Sequence, residues 1–179
     1  GDYTDWMITS PIGKEERATV NNHGVWYDAQ LVNYMLFLGK TDEAKKILQD
    51  AKLGRIDTQI EPDGKQPRET ERADGWHHTV FNLKAFFVLA TLGDRAGVDL
   101  WNYSTADGRG IRKALDYLTR FITDEKWPHS TSADMSWSDI YDLLRIAAVK
   151  YGAANYQQIS ARILTVDAPT ARIGLLLPL

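Results

Sequence analysis

Two kinds of helical segment alternate along this chain, and that alternation limits its possible folds more than any other feature. Residues 25–38 are apolar on nearly every helical face, interrupted only by Asp28, Gln30 and Asn33. Residues 77–92 read the same way through Val80, Phe81, Leu83, Phe86, Phe87, Val88 and Leu89. A helix apolar all round has to be covered on several sides. Between them lie residues 41–53, where Ala44, Ile47, Leu48 and Ala51 make one stripe while Lys45, Lys46, Gln49 and Asp50 face water. Ile111, Ala114, Leu115, Leu118, Phe121 and Ile122 form a second stripe, and Trp137, Ile140, Leu143, Leu144 and Ala147 a third. A two-layer ring of antiparallel helix pairs produces such an alternation, because its inner helices are enclosed and its outer ones are covered on one side. A plain helical bundle competes with it, and the pattern alone leaves the two open. Either way the chain reads as all-α, with one weak strand candidate at residues 163–166.

The connections follow from punctuation. Gly39 is expected to end the first buried helix and Thr41 to cap the next, with Asp42 and Glu43 in its first turn. Residues 1–22 read as a turn-rich stretch, with Ser10-Pro11-Ile12-Gly13 as a turn before the charged run Lys14-Glu15-Glu16-Arg17. Residues 61–74, with Pro62, Gly64 and Pro67, form a long polar loop, a kind of segment that is often functional. A second loop spans residues 93–110 and turns at Asp107-Gly108, placing Arg109 at the surface. A short helix at residues 156–163 and an apolar tail at 175–179 complete the chain.

At 179 residues the chain fits one domain or a piece of a larger one. Lys and Arg number 21 against 24 Asp and Glu, a net charge of −3, and no basic stripe appears, which argues against a nucleic-acid partner. The longest apolar runs, residues 86–90 and 175–177, are far too short to cross a bilayer. Without cysteine the chain has no disulfide, thiolate metal site or cysteine nucleophile.

Few residues are equipped for catalysis. The four histidines are His23, His77, His78 and His129. No His-Glu-x-x-His pattern occurs, and neighbours His77 and His78 project about 100° apart on a helix, a poor arrangement for one metal. In Asn21-Asn22-His23-Gly24 an N-cap role explains one asparagine, but neither the second nor the histidine. Arg72 ends the polar loop, where a solvated role is the plain reading. His78 opens the next buried helix on a face shared with Phe81 and Ala85, where a satisfied core histidine is the default. Trp26, Trp76 and Trp101 are equipped to stack on sugar rings or to fill a core.

Taken together, these segments resemble a known family. Thr9-Ser10-Pro11-Ile12-Gly13-Lys14-Glu15-Glu16 and Asn21-Asn22-His23-Gly24-Val25-Trp26-Tyr27-Asp28 look like the alginate-lyase-type catalytic domain of polysaccharide lyases. Gln66-Pro67-Arg68-Glu69, Arg72, Phe81-Asn82-Leu83 and Gly97-Val98-Asp99-Leu100-Trp101 continue the likeness in order. Asp107-Gly108-Arg109, Lys113-Ala114-Leu115-Asp116-Tyr117 and Lys126-Trp127-Pro128 extend it, so that it covers residues 5–130. The resemblance implies an α/α toroid that cleaves an acidic polysaccharide, alginate or a related polyuronate such as glucuronan, by β-elimination without metal or cofactor. It also implies a secreted or periplasmic protein. Elimination requires that the uronate carboxylate be neutralised, that a base take the C5 proton and that an acid protonate the departing oxygen. By resemblance Asn22 and Arg72 neutralise the carboxylate and His23 is base or a neutralising group. Trp26, Tyr27, Gln66, Arg68 and His77 are the implied substrate-binding residues.

Two departures stand out. The family's tyrosine would fall six residues after Arg72 and four before Asn82, and that position holds His78. A histidine serves as base and acid from a lower pKa than tyrosine. The same change is what a non-catalytic polyuronate-binding relative would carry. A glycoside hydrolase would instead need two facing carboxylates, and Glu61, Asp63, Glu69, Glu71 and Asp74 offer no distinguished pair. The second departure is length. The whole chain, 1–179, reads as a single domain forming the C-terminal portion of an incomplete (α/α) toroid, with a second chain or copy expected to cover its apolar inner faces.

Overall fold

A computed structural model describes residues 2–131, 135 and 137–166. Among them every regular element is helical. α3 (Asn22–Phe37) and α7 (Gly75–Ala96) are enclosed helices, and they pack directly on each other. Val25, Leu31 and Val32 of α3 and Leu83, Phe86, Phe87 and Leu89 of α7 are almost fully buried. The outer layer pairs with this row. α4 (Thr41–Ala51) turns back on α3 through Gly39, whose φ of 73° suits a glycine. Ala44, Ile47, Leu48 and Ala51 are the residues it buries, the stripe read from its period. α8 (Ile111–Thr123) also packs one-sidedly on α7. α9 (Ser138–Tyr151) lies against α7, and a left-handed Gly152 turns the chain into α10 (Ala154–Val166), which returns along α9. The result is the inner row α3, α7, α9 backed by α4, α8 and α10, an all-α, toroid-like arrangement of helix pairs. The stripe at residues 137–147, read as one-sided, belongs to this inner row, where Tyr141, Arg145 and Ala148 are buried as well.

Several local expectations are corrected. Residues 1–22 hold two helices, α1 (Asp2–Thr9) and α2 (Pro11–Ala18), rather than turns. Ser10-Pro11 starts α2: the Ser10 hydroxyl accepts from the Gly13 amide at 3.0 Å and Pro11 occupies the first helical position. Lys40, not Thr41, holds the cap position of α4, without a side-chain cap bond. The strand candidate at residues 163–166 is the last turn of α10, whose helical register continues from Ile159. The long polar loop contains a short helix, α6 (Pro67–Thr70). Arg109 does not stand free on the surface. Its Nη1 donates to the carbonyls of Asp57 and Ile60 at 3.0 and 3.2 Å, and its Nε to Asp107 at 2.9 Å. The apolar tail at 175–179 lies outside the described residues.

α4 does not stop where its pattern fades. It runs through a π turn, Lys52–Ile56, into a last helical turn, α5 (Asp57–Gln59). The π turn brings Arg55 inward, where it is 7% exposed. Its Nε donates to Asp28 at 2.7 Å, Nη1 to the Thr19 carbonyl at 2.7 Å and Nη2 to the Arg17 carbonyl at 2.6 Å. Those carbonyls end α2 and begin the link to α3, so one guanidinium ties the outer layer to the start of the inner row. Gly24 is needed for this approach, because a Cβ there would collide with the Thr19 carbonyl and the Arg55 guanidinium.

Candidate active site

The start of α3 and the start of α7 open onto a common cleft of about 340 Å³, lined by Glu16, Asn22, His23, Trp26, His77, His78 and Phe81. The paired asparagines divide their work. Asn21 is the cap, its Oδ1 accepting from the His23 amide at 3.1 Å. Asn22 is the first helical residue and is buried, with its backbone N–H and its Nδ2 donating to the two carboxylate oxygens of Glu69 at 2.6 and 2.9 Å. Glu69 is fully buried in α6, and the Arg72 guanidinium approaches its Oε2 at 3.7 Å. A carboxylate in that position is stabilised by the exposed amide ends of α3 as well as by its donors. Its grip leaves one Nδ2 hydrogen of Asn22 for another acceptor.

His23 is half exposed, with Nδ1 2.8 Å from Glu16 Oε1. His78 is partly buried, and its imidazole is held below histidine's ordinary pKa by burial first and then by the Arg72 guanidinium, against the opposing pull of Glu69. His77 is exposed and stacks on Phe81 at 6.0 Å, which tilts against Trp26 at 5.1 Å, making an aromatic wall for the cleft. A second hollow of about 580 Å³ shares Glu16, His23 and Trp26 and continues along α3 past Gln30 and Asn33 to Val88 and Leu92.

The residues singled out from sequence thus fall into two groups. Asn22, His23, His78, His77 and Trp26 meet in the cleft, while Arg72 lies beside Glu69 and is not among the residues lining it. The others lie apart from it. Tyr27 lines the second hollow, but its hydroxyl donates to the Met7 carbonyl at 2.6 Å. Gln66 is buried, accepting from Asn82 at 2.8 Å and donating to the Thr79 carbonyl at 3.4 Å, and Arg68 is exposed on α6. Of the three tryptophans, Trp76 and Trp101 are core residues. Among the described residues no cluster of three or more His, Asp or Glu side chains is placed to hold a metal ion, and no helix is long and apolar enough to cross a membrane. Glu16 and Glu69 were not legible as site residues. Glu69 precedes Arg72 by three positions, the helical spacing that would have paired them, but only the fold brings it to Asn22, 47 residues away.

An inner row of helices whose N-terminal ends bring amide and imidazole groups to a common cleft defines an all-α, toroid-type domain. The alginate lyase family profile matches residues 1–127, and the chain belongs to that family. A solved structure, an alginate lyase from Bacteroides ovatus, superposes with a TM-score of 0.91 at 34% sequence identity, covering 99% of this chain and 48% of that one. The chain therefore spans about half the length of that relative. No curated protein sequence matches it.

Proposed function

We propose that this chain forms the C-terminal portion of a polysaccharide lyase that cleaves alginate or a related polyuronate by metal-independent β-elimination. The observation that carries this reading is the meeting of Asn22, His23 and His78 in one cleft, although 55 residues of chain separate His23 from His78. Asn22 donates its remaining amide hydrogen to the uronate carboxylate and Arg72 contributes positive charge nearby. Together they acidify the C5 proton. His23 and His78 share the base and acid roles, the division depending on which epimer is bound. His77, Phe81 and Trp26 offer apolar faces to the sugar rings. The rest of the toroid, on a second chain or a further part of this one, closes the cleft from the other side. Membership of a lyase family and 34% identity to a named alginate lyase support the reaction class.

The test is absorbance. Elimination leaves a conjugated double bond that hydrolysis cannot make, so polymannuronate, polyguluronate and glucuronan are each incubated with the protein and its His23→Ala variant. Absorbance that grows on one polymer and falls by about 10²–10⁴-fold in the variant is expected. Binding to these polymers without any absorbance would instead favour a polyuronate-binding protein, to which the histidine at position 78 also points.

On the epimer for which His78 is the base, the acid limb of the rate profile follows from it. Its pKa is depressed, so it stays neutral and able to accept a proton below histidine's usual value of about 6.5. On that epimer His78 stops accepting a proton as pH falls through the lowered value, and activity falls with it. In His78→Tyr the base is a phenolate, and the limb is expected to move to alkaline pH, towards the phenol value of about 10. A limb that stays put on this exchange would assign the titrating group elsewhere.

A further inference from the structure

The Glu16–His23 contact is placed for control of a ring rather than for stability. Both partners are nearly half exposed, 45% and 49%, and a pair so open to water adds little to folding. Its position, however, is tightly held. Glu16 lies in the last turn of α2, the residue after it is fastened through its carbonyl to Arg55, and His23 is anchored at the start of α3 by the Asn21 cap. The two side chains therefore meet from separately fixed elements, at 2.8 Å, on the wall of the cleft.

An ionised carboxylate can only accept a hydrogen bond. When the imidazole is neutral, the nitrogen that meets Glu16 must carry the ring's single proton, and the nitrogen across the ring is then its one base. We propose that Glu16 is a positioning residue that locks His23 in the Nδ1–H tautomer, leaving Nε2 as the proton acceptor. This rests on the reading of His23 as part of the elimination machinery. A base oriented by a third group through its far nitrogen is a general device of acid–base sites. An unrestrained histidine prefers the opposite, Nε2–H, form, in which Nε2 accepts nothing.

Long-range proton–nitrogen correlation spectra of the whole 179-residue chain, in buffer alkaline enough to keep imidazoles neutral, read the tautomer directly. His23→Ala identifies the signals. The expected result is a protonated Nδ1 and a bare Nε2, in roughly tenfold excess over the other form. Glu16→Ala should return His23 to the Nε2–H form, and Glu16→Gln, whose carbonyl oxygen still accepts, should keep the Nδ1–H form. A wild-type ring protonated at Nε2, or a tautomer unmoved in Glu16→Ala, overturns the proposal. The spectrum reads independently of turnover, so failure of the lyase reading appears separately: in an active enzyme, His23→Ala without loss of absorbance growth would remove the base and with it the positioning role.

Discussion

Truncation of Arg55 to alanine is expected to lower the melting temperature by on the order of 10 °C. Asp28 is 4% exposed, and Arg55 supplies its close partner at 2.7 Å. Removing one member of a buried pair leaves the other charge without compensation, at a cost of about 3–5 kcal/mol, and each kcal/mol moves the midpoint by about 2–4 °C in a chain of this size. The Arg17 and Thr19 carbonyls lose their donors in the same step. Arg17 itself reaches Asp28 only at 3.5 Å and is 43% exposed, so it compensates weakly. Thermal unfolding followed by circular dichroism measures the effect. Replacing both partners together, Asp28→Leu with Arg55→Met, should cost less than Arg55→Ala alone, because no unpaired charge remains. A single variant that melts within about 2 °C of the parent would mean that the guanidinium does not hold the two layers together.

Glu69→Gln is the second substitution with a large expected effect, and it acts on turnover. The carboxylate now accepts from both the backbone and the side-chain amide of Asn22. Glutamine has the same shape but turns one acceptor into a donor, which meets a donor on Asn22. Either the backbone or the side-chain amide of Asn22 then loses its acceptor, and the side chain is no longer held in the orientation that the proposed elimination requires. Loss of one aligned donor at a developing anion lowers kcat by about 10²–10³, and product absorbance is expected to fall by that factor with the melting curve recorded alongside. Full activity in Glu69→Gln would show that the α3 backbone alone orients Asn22.

The two layers were readable wherever one periodicity held for several turns. α4 and α8 were visible as stripes and α3 and α7 as enclosed helices, because burial on one side or all round writes itself directly into the spacing of apolar residues. α1 and α2 were not visible. Ser10-Pro11 signals a turn and a helix start equally well, and what decides is the packing of α2 against α3. The site divides along the same line. Asn22, His23 and Arg72 came from the order of short motifs, while position 78 came from counting between Arg72 and Asn82. The carboxylates in contact with them, Glu16 at His23 and Glu69 at Asn22, reach them across turns and loops whose closure no local spacing records. Tyr27 and Gln66 are substrate-binding residues by the resemblance, yet the polar end of each is engaged inside the protein.

The π turn at Lys52–Ile56 accommodates one residue beyond what a regular helix would take over the same rise, with the Asp57 amide reaching back to the Lys52 carbonyl. Each residue advances a helix by about 100°, so this insertion is a phase setting. Without it, α4 would keep its stripe on the core, but Arg55 would swing out of reach of Asp28 and of the two carbonyls that end α2. Glu16 directly precedes the Arg17 carbonyl that this linkage holds, and His23 follows the link to α3 at its other end. A residue count in the outer layer thus bears on the mouth of the cleft, and a length change there would be felt at the histidine even though every residue lining the cleft stayed the same.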